Sequence, residues 1–264
     1  KELEQRTGLK VFGEISFQPA SVNNQIIDLH SRSFISEQIR ILRSNLQYVF
    51  TTKEKDQGKV LIVTSSTSDE GKSFVALNLA HSLTLLGKNV VVVGMDLRKP
   101  KINEYLGIEN KVGVSTYLIG KAGEIDIMQE TKIPNLYITP SGPIPPNPSE
   151  LIANGRLEHL INYYKKEREI DYIVIDTPPM TLVTDTSLLA SYADVTFYVV
   201  RHGVTPKLHT KFIKDLNQKG TFKSLNLIFN AVNYKNSSEY GYGQGSGYYG
   251  STEKKSWFKR IFRG

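Results

Sequence analysis

The residues Ser66-Thr67-Ser68-Asp69-Glu70-Gly71-Lys72-Ser73 carry the strongest chemical signal in the chain. They follow an apolar β-type run, open a helical pattern, and match G-x-x-x-x-G-K-[ST] except that Ser66 stands at the first glycine. Each type has its reason. Loop amides and the start of the helix face phosphate oxygens, and Gly71 lets the backbone approach closely. Lys72 reaches the β- and γ-phosphates, and the Ser73 hydroxyl ligates magnesium, with Phe74 the next residue of the cradle. A serine-rich loop that only caps a helix is the plain alternative. Against it, a lysine in the first turn meets the positive end of the helix dipole, which costs about 0.3–1 kcal/mol unless an anion is bound. We therefore read a P-loop for ATP and Mg2+.

Two acids fall where such a site needs them. Tyr172-Ile173-Val174-Ile175-Asp176 is a buried-type strand ending in an aspartate, the end of a strand where an α/β sheet gathers its ligands. Asp176 is read as a magnesium ligand, with capping of the next turn as the alternative. Val91-Val92-Val93-Gly94-Met95-Asp96 is a second such strand. Asp96 is read as holding a magnesium-bound water or taking a proton from an acceptor hydroxyl; a surface pair with Arg98 or Lys99 is its alternative.

The elements that must position these residues alternate in type. Ile35, Ile39, Leu42, Leu46 and Val49 recur at three- and four-residue steps and predict an amphipathic helix over 33–50, followed by the polar linker TTKEKDQGK. Strands are expected at 59–64, 89–93, 136–139, 172–175, 195–200 and 225–229, and helices at 72–86, 186–192 and 206–218. Asn147-Pro148-Ser149-Glu150 has the signature of a helix start, with the helix expected to run to about residue 168. The alternation predicts an α/β fold, a doubly wound and mostly parallel sheet of the P-loop NTPase type. Residues 1–29 have no clear period and are expected to wrap around the domain.

The chain has 264 residues, 39% hydrophobic and 22% charged, enough for a sizeable core. It has no cysteine, so no disulfide framework, and no apolar run long enough to span a bilayer. It begins at Lys1, which we read as the start of a cytoplasmic piece of a longer protein. Of the net charge of +7, the last fourteen residues carry +4. That asymmetry points to an acidic surface as the tail's partner.

The three motif segments resemble the Walker A, Walker A′ and Walker B motifs of the bacterial tyrosine kinases, regulators of capsule and exopolysaccharide export. Three more segments carry the resemblance: Glu37-x-x-Arg40-x-x-Arg43, Pro145-Pro146-Asn147-Pro148-Ser149-Glu150-Leu151, and a C-terminal tyrosine cluster. It extends over essentially the whole chain from about residue 30. The resemblance implies ATP-dependent autophosphorylation in trans of Tyr234, Tyr240, Tyr242, Tyr248 and Tyr249. It implies a homo-oligomeric ring, such as an octamer, joined through Glu37, Arg40 and Arg43. It also implies a membrane-spanning co-polymerase half or partner, a tyrosine phosphatase, and a place at the cytoplasmic face of the inner membrane. No nucleic-acid partner is expected. Asn230 is expected near the adenine. The chain departs from the family at Gly94, where the first acid of a D-x-D pair, implicated as the acceptor's base, is expected, and at Ser66 and Ser68 in the P-loop. Partitioning and septum-site ATPases share the fold but carry a lysine five residues before the P-loop lysine, where this chain has Thr67.

The domain reading is a juxtamembrane-like segment over 1–32, a kinase domain over 33–233, and a flexible basic tail over 234–264. The tail's Trp257, Phe258, Ile261 and Phe262 interleave with Lys259, Arg260 and Arg263, either an interfacial membrane anchor or a solvated end. A nucleotide-gated interaction module without catalysis, and a switch ATPase, are the rival functions.

Overall fold

The computed structural model describes residues 1–19, 26–50, 58–180 and 185–234. In chain order the elements are α1 (Glu2–Thr7), β1 (Val11–Ser16), α2 (Phe34–Val49), β2 (Lys59–Ser65), α3 (Lys72–Thr84), β3 (Val90–Gly94), α4 (Ile102–Leu106), α5 (Val114–Leu118) and α6 (Glu124–Ile127). They continue with β4 (Gln129–Glu130), β5 (Leu136–Thr139), α7 (Pro148–Ile152), α8 (Arg156–Lys166), β6 (Tyr172–Asp176), α9 (Asp185–Leu189), β7 (Val195–Arg201), α10 (His209–Gln218) and β8 (Leu225–Val232). Residues 1–232 form one compact unit, and 233–264 form a second, described only as far as Tyr234.

The eight strands make one sheet in the order β1-β8-β7-β2-β6-β3-β5-β4. All pairings are parallel except β4 with β5. The Val- and Ile-rich strands are buried on both faces, which parallel pairing through helical crossovers requires. Leu61, Val63, Val90, Val92 and Val174 face α2 and α3 on one side. Val60, Ile62, Val91, Val93, Ile173 and Ile175 face α5 and α8 on the other. Helix α3 is buried on nearly every side, its polar Asn78 and Ser82 included. Helix α2 buries the stripe Ile35, Ile39, Leu42 and Leu46, and Ser33 caps it by accepting the Ser36 amide.

The structure departs from the sequence expectations in three places. The N-terminal residues do not simply wrap around the domain: β1 pairs with β8 at the sheet edge, and α1 lays Leu3 against the Ile213–Leu216 cluster. Gly13 and Glu14 interrupt the apolar alternation there, so the strand leaves no period-two signal. The helix expected from 147 to 168 is two helices, broken at Gly155, which adopts φ +81°. Four short elements between residues 102 and 130 had no periodic signature because each is too brief to show one.

Candidate active site

Strand β2 lies between β6 and β7. The chain builds the sheet outward to both sides of it, so the crevice at its carboxyl end is the place where such a sheet binds ligands. The loop after β2 enters that crevice and delivers α3. Gly71 is the N-cap of α3 with φ +95°, a conformation costly for any other residue. A Cβ there would also lie 2.2 Å from Asn230 Nδ2.

The loop's shape is fastened from outside itself. Glu70 is fully buried. Its carboxylate accepts the Thr67 amide at 2.7 Å and the Thr205 hydroxyl, while Asn230 Nδ2 donates to its carbonyl at 2.9 Å. Arg201, at the end of β7, donates to the Asp69 carbonyl at 2.6 Å, and Asp69 itself sits at φ 64°. Buried Ser66 is hydrogen-bonded to the Tyr198 hydroxyl at 3.0 Å. The side chains of Ser66 and Glu70 thus serve the loop's shape.

A cavity of about 450 Å³ opens beside this loop and is lined by Ser68, Asp69, Gly71, Lys72, Ser73 and Phe74 together with Asp96 and Asn230. The sequence reading had singled out all of these. Ser73 of this lining donates its Oγ at 2.6 Å to Oδ2 of Asp176, which is buried behind it and does not itself line the cavity. The second carboxyl oxygen of Asp176 is buried and has no hydrogen-bond partner. Burial raises the Asp176 pKa to about 6, against the pull of Lys72 and the Ser73 hydrogen bond and with a smaller push from Asp96. Lys72 is itself buried, so its charge acts through little water.

Asp96 stands on the turn after β3, where Oδ1 accepts the amides of Arg98 at 3.2 Å and Lys99 at 3.0 Å. The Asp96 side chain is thereby aimed by its own backbone, while Arg98 donates to Ser149 Oγ at 3.2 Å.

Sequence reasoning missed the other wall. Lys101 bridges to Asp69 at 2.8 Å across the cavity mouth, and Tyr105 and Arg201 line the same space. Burial, then the charges of Asp176 and Asp69, push the Tyr105 hydroxyl up to about 12, so it stays protonated. Ser16 and Gln18, from the end of β1, also reach the lining. A cation closing a buried strand, as Arg201 closes β7, was the one legible hint.

Glu37, Arg40 and Arg43 lie on α2 as expected, but the domain uses two of them. Arg40 pairs with Glu37 and donates to the carbonyls of Leu29 and Ser31, and Arg43 donates to Ser82 O at 2.8 Å. These arginines thus tie residues 29–31 and the end of α3 to α2. Of the tyrosine cluster, Tyr234 is the last described residue; Tyr240, Tyr242, Tyr248 and Tyr249 lie outside the described residues, as does the basic aromatic end.

A parallel sheet whose central strand feeds a Gly-Lys-Ser helix start, with a carboxylate from the neighbouring strand on the serine, defines a P-loop nucleotide-binding α/β protein. In keeping with this, the family described as ParA, NUBPL iron-transfer P-loop NTPase, matches residues 57–202. Tyrosine-protein kinase YwqD of Bacillus subtilis is 33% identical over 219 residues, 83% of this chain and 90% of that protein. Tyrosine-protein kinase wzc of Salmonella typhi is 36% identical over 168 residues, 64% of this chain and 23% of that much longer protein. The crystal structure of the chimerical protein CapA2B2 superposes with a TM-score of 0.77 at 30% identity, covering 88% of this chain and 98% of that one. The chain belongs to the bacterial tyrosine kinase family and is a protein-tyrosine kinase. Among the described residues no helix is long and apolar enough to cross a membrane.

Proposed function

We propose that the chain uses ATP with magnesium to phosphorylate the tyrosines of its own C-terminal cluster in trans. The observation that carries the nucleotide part is the Ser73–Asp176 contact of 2.6 Å beside buried Lys72 at the start of α3. The residues fit the cofactor: a Cβ would fill the cradle at Gly71, and the partnerless Asp176 oxygen suits a hard cation. Ser73 and Asp176 would hold magnesium, which when bound neutralises phosphate charge. The α3 amides and Lys72 draw the transferring group into line and stabilise its growing charge. Asp96, at the mouth and held by its turn, accepts the proton of the incoming phenol; Gly94 offers no second carboxylate for that task. Asn230, already bonded to the loop, bounds the nucleoside side of the cavity.

The acceptors we propose are Tyr234, Tyr240, Tyr242, Tyr248 and Tyr249. Residues 234–264 carry a charge of +4, and five phosphotyrosines add roughly −7.5 to −10, which inverts the tail's sign. A tail drawn to an acidic surface becomes one repelled by it. We propose that the kinase works as a ring whose contacts run along α2, where the Arg40–Glu37 pair leaves Glu37 half exposed, under a membrane-spanning co-polymerase half or partner. Its place is then the cytoplasmic face of the inner membrane, its reversal the work of a tyrosine phosphatase, and its output the control of polymer export. Changing all five tyrosines to Phe should remove phosphotyrosine from the MgATP-treated chain without changing nucleotide affinity. Phosphotyrosine that persists at full level in that variant would place the acceptors elsewhere.

A further inference from the structure

Two buried oxygens without hydrogen-bond partners flank Gly94. One is Asp176 Oδ1, and the other is the hydroxyl of Ser141, a residue 1% exposed just beyond β5. The strand order is β6-β3-β5, with Gly94 in register with Asp176 and Val93 with Thr139, so position 94 lies between the two. Side chains alternate along β3, and Val90 and Val92 share the face of Val174. Position 94 therefore looks onto the same face as Asp176. It carries no side chain, and the Ser141 hydroxyl has taken the room: a Cβ on residue 94 would lie 2.6 Å from Ser141 Oγ, 3.0 Å from the Ser141 amide nitrogen and 3.1 Å from Ile102 Cγ2. An acid there would have to displace the hydroxyl and press on the Ser141 backbone.

We propose that Ser141 is a positioning residue for Asp176, donating its hydroxyl to Oδ1 across the bare position 94, directly or through one water. With Oδ2 held by Ser73 and one lone pair of Oδ1 by Ser141, the carboxylate plane is fixed and the other lone pair of Oδ1 is left for magnesium. A buried donor and a buried acceptor left apart each forfeit a hydrogen bond, so tightening of the loaded site draws them together. Glycine at 94 is then the condition for this contact, and the chain exchanges an acid on β3 for a hydroxyl after β5. The inference rests on the reading of Asp176 as a magnesium ligand, but not on phosphotransfer.

The test is a magnesium titration of the whole chain with a fluorescent ATP analogue. Hydrogen-bond partners of metal ligands are worth 10–100-fold in metal affinity. Ser141→Ala should raise the magnesium needed for half-maximal binding about tenfold, with binding in EDTA unchanged. Gly94→Ala should do the same by displacing the hydroxyl, and the double variant should lose no more than either alone. An unchanged magnesium requirement in folded Ser141→Ala, or losses that multiply in the double variant, overturns the proposal. Should Ser141→Ala fail to fold, Ser141→Cys keeps the volume with a weak donor; a folded Cys variant with the wild-type requirement overturns it equally. Asp176→Asn is the control: no change there would refute the magnesium reading of Asp176 and not the role of Ser141.

Discussion

From Ser65 to Ser73 the polar side chains other than the exposed Asp69 include three that are bonded inward: Ser66 to Tyr198, Glu70 to Thr67 and Thr205, Ser73 to Asp176. Between Asp96 and Tyr105, across the same cavity, the chain is held by an aspartate turn and by an exposed Asp69–Lys101 pair whose side chains are 72% and 52% accessible. The first region is preorganised by strands β2, β6, β7 and β8, the second by short local contacts that water can replace. An exposed pair of that kind stabilises by only about 0.2–1 kcal/mol. The difference matches two tasks. Phosphates are always the same shape and reward a rigid cradle, whereas a tyrosine arriving on a different segment needs a wall that can be entered.

If the two walls divide the work in this way, substitutions should separate them. Asp96→Asn on the open wall should lower the phosphotransfer rate 10²–10⁴-fold, the usual worth of a positioned base, while nucleotide affinity falls much less. Stopped-flow nucleotide binding beside single-turnover transfer measures both; equal losses would put Asp96 on the metal instead.

On the rigid wall, Asp176 should destabilise the empty protein. Its folded pKa of about 6 lies above the ordinary 3.8, because burial disfavours the charge. The folded state thus keeps a proton that the unfolded chain gives up, so stability falls as pH rises from about 4 to about 6 and stays lower above. The shift corresponds to a loss on the order of 2–3 kcal/mol. Without nucleotide, Asp176→Asn should therefore melt above the wild type at pH 7.5, with the gap closing near pH 4. A variant less stable than wild type at pH 7.5 would contradict the pKa direction.

The smallest effect is expected at Thr205, which touches no ligand. Thr205→Val removes a donor from the buried Glu70 carboxylate and should cost about 1–3 kcal/mol of stability. The KM for ATP should rise with little change in kcat, read from melts and initial rates. An unchanged KM would show that the loop keeps its shape without this bond.

Much of the first region was legible in the sequence because its signals are local: a β-run, eight loop residues and a helix start in one stretch of chain. Asp176 and Asp96 were legible as acids closing apolar strands. What escaped depends on contacts between distant segments. Glu70 reads as a phosphate-loop residue until Thr205, 135 positions away, is seen to hold it. Edge strand β1 lacked alternation, and Tyr105 sits in a helix of five residues. Ser141 has no motif at all; only the strand order β6-β3-β5 brings it to Gly94. The arginines of α2 carry a second use that their spacing does not show, in bonds to Leu29, Ser31 and Ser82.

The most direct test of the central claim is the intact mass of the purified chain and of Lys72→Met, each before and after MgATP, with thermal melts to check folding. Lys72 is the buried cation at the start of α3, beside the only hydroxyl–carboxylate pair we assign to magnesium. The account predicts phosphate adducts on tyrosine in the wild type and none in a folded Lys72→Met. Adducts at wild-type level in that folded variant would contradict it.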